Sequence, residues 1–301
     1  MNTARKPNCL TLTWIAEASL ASFNAGDKEA DNLVSLKKIT RQDGQYIYVS
    51  GQAVRRALRD RLRDMGEPLS LIPVEEGQDK KQTAHTQGEP ANYIDDDLFG
   101  FMKAIKGQGK TADKRTAPVR VAPVMSLTAW TGETDFGANF LQLDQGGNPN
   151  LFETEIDGGL YRGSILIELD RIGKGEGYEP QKNDPPQKRV ERVKKLLRAI
   201  RDLWLSGRQS RFLGDLSPKI VAAALTSAKV PLFLESAFVG KDGLNLIGLI
   251  EAVKDRQDII VDKVFGGTEK FRLLIPKECE AVTIGAAFEK MESWITPNLF
   301  E

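Results

Sequence analysis

Between Asn8 and Ser22 the chain reads NCLTLTWIAEASLAS, with apolar residues at every second position: Leu10, Leu12, Trp14, Ala16 and Ala18. Thr11, Thr13, Glu17 and Ser19 take most of the positions between them. A period of two is the repeat of an extended strand, whose successive side chains point to opposite faces. It predicts a long strand with one buried face, the first member of a sheet that another layer must cover.

Downstream patterns supply that layer. Phe23 to Lys38 carries Asn-Ala-Gly-Asp and reads as a loop, and Asp43-Gly44 as a tight turn into a short strand at Tyr46–Val49. Ser50 is placed to cap a helix running to about Met65, with Gly66 and Pro68 as its stop. Val54, Ala57, Leu58 and Leu62 form its apolar stripe, while Gln52, Arg55, Arg56, Arg59 and Arg63 recur at spacings of three and four on the other side. Glu67 to Asn92 reads as a flexible polar insertion, Asp97 to Ile105 as a short helix and Gly107 to Thr116 as a basic loop.

Val119–Trp130 and Gly159–Arg171 read as strands around a ragged hairpin at 132–158. A linker follows, Gly173 to Pro186. A second amphipathic helix is expected over Gln187–Leu205, with Val190, Val193, Leu197, Ile200 and Trp204 facing the core. Ser206–Pro218 reads as a loop, Lys219–Val239 as largely strand, and Leu244–Lys254 and Val282–Trp294 as helices. The order strand, helix, strand, strand, helix, strand is the split βαβ pattern of a ferredoxin-like or RNA-recognition-motif core, an α+β fold with an antiparallel sheet and both helices on one face. Such a core uses far fewer than 301 residues, so the surplus is expected to project from it.

Composition removes several classes of function. One histidine, His85, sits in a polar stretch, and two cysteines, Cys9 and Cys279, form no CxxC pair. With so few of these residues, histidine-based nucleophilic catalysis and multi-histidine metal sites are nearly excluded, no CxxC offers a zinc site, two cysteines cannot make a disulfide framework, and no metal or other cofactor is expected. No apolar run reaches the roughly 18 residues that cross a bilayer, and no signal-peptide block opens the chain; a cytoplasmic protein with no membrane partner is expected. Gly109-Lys110-Thr111 resembles the end of a P-loop, but Ala104 stands where the first glycine belongs and no strand precedes it. Gly173, Gly175 and Gly177 lack the strand and helix of a dinucleotide site. Asp95-Asp96-Asp97 offers hard oxygens for a divalent cation but reads more simply as the acidic start of a helix.

The charges balance at 42 basic and 42 acidic residues, yet they are not mixed evenly. Ser50 to Arg63 holds five arginines and one acid, and Gln187 to Arg201 holds seven basic residues and one acid. Clustered positive charge is the footprint of a phosphate ligand. The first cluster is the more telling. There a strand delivers the chain to a helix N-terminus, where free N–H groups and the dipole favour an anion. Arg55 and Arg59 continue the line one turn apart, ~6 Å, close to the phosphate repeat of a single strand. The second cluster is expected to face solvent.

The segment Tyr48 to Arg59, YVSGQAVRRALR, resembles the helix-opening motif of the RAMP superfamily of CRISPR-associated proteins, and within it the DevR-type backbone subunit of type I Cascade complexes. Other stretches agree in order: FNAGDKEADNLVSLKK after the first strand, Asp97-Leu-Phe-Gly100, KRTAPVRVAPVMSL at 114–127, EIDGGLYRGSILIEL at 155–169, and Ser206-Gly-Arg-Gln-Ser-Arg-Phe212 with Pro218 beyond. The resemblance spans about Leu10 to Val239; the last sixty or so residues match loosely.

That resemblance implies a right-hand shape. The ferredoxin-like palm comprises residues 1–66, 117–205 and 221–301. Fingers come from 67–116 and the 132–158 hairpin, and a thumb loop from 206–220. It implies a non-enzymatic subunit that binds crRNA, stacks on other copies of itself and other Cascade subunits, and presents the guide for pairing with target DNA. The implied RNA-binding residues are Lys37, Lys38, Arg41, Ser50, Gln52, Arg55, Arg56, Arg59, Lys114, Arg115, Met125, Arg208, Gln209, Arg211 and Phe212. Phe212, or Leu213 beside it, would wedge between bases, with Met125 or Val124 against the displaced nucleotide. Two rival readings stand beside this one. The first is a metal-dependent RNA-cleaving backbone subunit of type III kind, using Asp27 or Asp31. The second is a stand-alone RNA-binding protein.

Overall fold

The computed structural model describes residues 6–23, 33–71, 86–103, 113–140, 146, 150–179, 182–205 and 211–301. Its centre is a large antiparallel sheet. In chain order its strands are β1 (Cys9–Ala21), β2 (Lys38–Arg41), β3 (Gly44–Val49), β4 (Val119–Val121), β5 (Val124–Ser126), β6 (Asp157–Glu168), β7 (Ile220–Thr226) and β8 (Ile260–Gly267). Across the sheet they run β8-β7-β1-β6-β5-β3-β2, with β4 also paired to β6. Expected strand 119–130 is thus two short strands parted at Ala122-Pro123, because proline has no N–H for a ladder. Strand β8 has no counterpart in the sequence reading, and β7 is shorter than expected, ending in turns after Thr226.

Among the described residues three helices cover one face: α1 (Gly51–Asp64), α3 (Pro186–Arg201) and Ile284–Trp294; a short helix, α2 (Ile94–Phe99), precedes α3 in the chain. Leu10, Leu12, Trp14, Ala16 and Ala18 of β1 meet Val54, Leu58 and Leu62 of α1 and Val193, Leu197 and Ile200 of α3 in one core. The opposite face of β1 is not open as expected. Ile15 joins Ala222, Ala224, Phe233 and Phe265 in a second core, and Thr11 and Thr13 are buried too. Segments between β7 and β8, expected as a continuing strand and a helix, and a segment just after β8 cover that side through Phe233, Leu246, Leu249 and Phe271.

Local details follow from backbone chemistry. Gly100 has φ +68°, and a Cβ there would lie 2.2 Å from the Arg115 carbonyl oxygen, so the expected helix 97–105 instead ends at Phe99 and turns into a strand, Phe101–Lys103. Helix α3 stops at Arg201, and Trp204 lies in a two-residue strand with 37% exposure, off the core stripe. Leu33–Val34, inside the expected 23–38 loop, pairs with Asn150–Glu155, which pairs in turn with Thr134–Asn139.

Candidate nucleic-acid interface

Strand β3 ends at Val49 and α1 begins at Gly51 with Ser50 as N-cap, its hydroxyl accepting the Ala53 N–H at 3.3 Å. A Cβ on Gly51 would lie 2.6 Å from the Val121 carbonyl oxygen, so only glycine lets β4 approach the start of the helix. No acid occupies the first turn and Gln52 is exposed, which leaves the positive end of the helix without a carboxylate of its own.

The arginines beyond it are not one free row. Arg56 and Arg63 both pair with Asp60, at 3.3 and 3.0 Å. Arg61 pairs with Asp64 at 2.9 Å and lies over the Trp204 ring. Arg59 gives its Nε–H to Asp95 at 3.1 Å, above the Phe99 ring. Arg55 is different. Its Nε donates to the Gly51 carbonyl at 3.3 Å, and among the described residues no carboxylate reaches it. Burial, and then the neighbouring Arg59 charge, push its pKa down. Two like charges with one carboxylate between them invite an external anion.

Other predicted residues separate into groups. Arg41 is exposed, lies over the Tyr46 ring, and gives an N–H to Met125 Sδ at 3.7 Å; Met125 faces Tyr48 across β3 and β5. Ile47 and Val49 point to the helical core, so Tyr46, Tyr48 and Met125 lie on the opposite sheet face. Lys38 is spent on Glu155 at 2.6 Å and on the Trp130 ring, while Lys37 lies half-buried beside it. Lys114 is exposed on a short hairpin.

Arg115 corrects the sequence reading. It is buried, and its guanidinium serves the Asp97 carboxylate at 2.5 Å and the carbonyls of Asp97, Arg171, Lys174 and Glu176. With its donors consumed inside the fold it cannot grip a phosphate. The expectation of a solvated basic face on α3 is corrected for two of its seven basic residues. Arg192 is buried against Asp97 and Asp184, and these carboxylates hold its pKa up against the opposing effect of burial. Arg189 is buried on the carbonyls of Ile172 and Phe300. Asp95, Asp96 and Asp97 do open a helix, but their carboxylates brace the protein: Asp95 also accepts the Ser70 N–H, Asp96 the Glu89 N–H and Asp97 the Gly173 N–H. No His/Cys/Asp/Glu group suited to a metal ion occurs among the described residues.

At the far end, Arg211 pairs with Asp135 at 2.5 Å and lies between the Phe152 and Phe212 rings. Phe212 is half-buried, whereas Leu213 is 77% exposed, so of the two wedge candidates Leu213 is the one that projects. Arg208, Gln209, Asp27, Asp31 and His85 lie outside the described residues. Tyr48, Asp95, Phe99 and Trp204 were not picked out as site residues in the sequence. Tyr48 stood in the quoted motif, but its neighbours identify it only once β5 is placed alongside.

The fold has counterparts among solved structures. Chains of two solved structures, a CRISPR RNA-guided surveillance complex in a pre-nicking state and a CRISPR RNA-guided surveillance complex, superpose with TM-scores of 0.62 and 0.59 at 17% and 18% identity; each superposition covers 96% of this chain and 100% of the other. The family follows. Residues 12–241 match the family described as CRISPR-associated negative auto-regulator DevR/Csa2, and the chain belongs to it. A relative, the CRISPR-associated protein Cas7/Cst2/DevR of Myxococcus xanthus (strain DK1622), is 28% identical over 274 residues, 84% of each chain.

Proposed function

We propose that this protein is the crRNA-binding backbone subunit of a type I Cascade effector complex. The observation that carries the reading is the carboxylate-free N-terminus of α1 with Arg55 beside it, a cationic site that no described acidic group of the chain neutralises. Such a site reads phosphate and not base edges, which is what holding an arbitrary guide requires. Family membership and the likeness to chains of surveillance complexes point the same way.

The palm is ferredoxin-like on this reading. Strands β7-β1-β6-β4/β5 lie side by side, α1 follows β1 and α3 follows β6, which is the split βαβ order. On the same reading 67–116 and 132–158 are assigned as the fingers and 206–220 as the thumb, within which Leu213 is exposed. Copies stack head to tail along the guide beside other Cascade subunits, and the guide's free bases pair with target DNA. The subunit performs no chemistry of its own and works in the cytoplasm. Among the described residues no helix is long and apolar enough to cross a membrane.

Arg55→Ala is expected to weaken binding of every RNA sequence alike, and to reduce the slope of log affinity against log salt by about 0.7, the share of one phosphate on a single strand. Filter binding at four or five salt concentrations with unrelated guides measures both; a loss confined to some sequences would sink phosphate-only reading. The assembled complex, given complementary RNA and magnesium, is expected to leave that RNA intact. Cuts that disappear in Asp27→Ala or Asp31→Ala would make it an enzyme.

A further inference from the structure

Helix α2 does more at this site than join two segments. Asp95 is 1% exposed, and its two carboxylate oxygens have separate tasks: Oδ1 accepts the Ser70 N–H at 3.0 Å, and Oδ2 accepts the Arg59 Nε–H at 3.1 Å. The Phe99 ring, one turn further along, sits 4.9 Å from the Arg59 guanidinium carbon. Arg59 is therefore held by its inner edge and supported on one flat side. The bond uses Nε, so the guanidinium keeps its outer Nη edge, the edge that matches two oxygens of a phosphate. Four residues back, Arg55 lies on the same side of α1, its own Nε tied to the Gly51 carbonyl. Both guanidinium groups are thus tethered at Nε, one by backbone and one by a buried carboxylate.

We infer that Asp95 and Phe99 are positioning residues for guide binding: they fix the Arg59 fork so that it and Arg55 receive backbone phosphate together. The inference rests on the phosphate-binding reading given above. A tethered arginine gives up less rotamer freedom on binding than a free one, so a nearby negative charge raises affinity here instead of lowering it. Burial, and after it the neighbouring Arg59 charge, lower the Arg55 pKa, which agrees with that geometry.

The sign of the effect separates positioning from simple electrostatics. Asp95→Asn removes a negative charge beside the cationic site. If charge alone mattered, RNA would bind more tightly. If Asp95 positions Arg59, RNA binds more weakly, by about three- to tenfold, the loss of part of one charge-assisted contact. The measurement is the affinity of a short poly-U strand, sized for one protomer, for wild type, Asp95→Asn, Arg59→Ala and the double variant. Asp95→Asn is expected to weaken binding in the wild-type background and to change it less than about twofold once Arg59 is alanine, since residues that act through one another are not additive. Phe99→Leu keeps an apolar side chain there without the ring and is expected to give a smaller loss with the same dependence on Arg59. It serves as the test should Asp95→Asn fail to fold. Equal or tighter binding by the folded Asp95→Asn protein, or equal losses in both backgrounds, would overturn the inference while leaving Arg55 and Arg59 as phosphate contacts. An Arg59→Ala protein that binds as wild type would remove the phosphate role of Arg59, and the inference with it.

Discussion

Asp97→Ala is expected to cost about 3–5 kcal/mol of folding stability and to lower the melting midpoint by on the order of 10 °C. The carboxylate lies at 0% exposure between two buried cations, Arg115 at 2.5 Å and Arg192 at 2.6 Å, and accepts the Gly173 N–H as well. Removing it leaves Arg115 with no carboxylate partner among the described residues and Arg192 with Asp184 alone, two guanidinium charges sharing one buried counter-charge. That residual penalty, more than the lost attraction, sets the size of the effect. Since the two cations come from distant parts of the chain, the loss also loosens the root of the proposed finger insertion from α3. Thermal melting followed by circular dichroism measures it. Arg115→Met in the Asp97→Ala background removes one stranded charge and is expected to recover part of the loss. A fall below about 1 kcal/mol for Asp97→Ala alone would mean that water enters the cluster and that it is not the brace described.

Trp14→Ala is the second large expectation, again about 3–5 kcal/mol, the usual cost of emptying a large aromatic site in a core. The indole is fully buried in β1 and donates its Nε1–H to the Leu216 carbonyl at 2.9 Å, so both packing and a long-range hydrogen bond go. Its seat depends on Gly163, its partner across β6, where a Cβ would come within 2.3 Å of the ring. Gly163→Ala is therefore expected to destabilise by about 1–3 kcal/mol through overpacking, although alanine is the gentlest side chain that can be added. Urea titration of both variants tests the pair. Once Trp14 is alanine, adding Gly163→Ala is expected to cost little or to restore stability, because the methyl then fills vacated space.

These two sites show how differently the sequence speaks of packing and of charge. Strand β1, its apolar face and the start of α1 at Ser50 were all legible, because periods of two and 3.6 and an N-cap are local signals. The fate of individual charges was not. The run Ser50–Arg63 contains a single acid by count, yet Arg59 finds its partner 36 residues further on and Arg115 finds a carbonyl cage some 60 residues away. The seven basic residues of Gln187–Arg201 looked like a solvated face, and two of them, Arg189 and Arg192, are buried. The burial of β1 on both faces escaped notice for a related reason: threonines suit a wet face and a covered one equally, and the covering segments are remote in sequence.

Sequence alone determined that a sheet would form around Leu10–Ala18, that helices would cover one of its faces, and that a helix would open at Ser50 with guanidinium groups beside its positive end. Each of these depends on residues within a turn or a strand of one another. Only the tertiary structure decided which of those guanidinium groups stay available. A cation's partner is set by what folding brings within 3–4 Å, and a buried carboxylate from a distant helix neutralises it as effectively as a neighbour would. Arg115 was lost to the interior that way, Arg59 was tethered, and Arg55 was left with no carboxylate partner among the described residues.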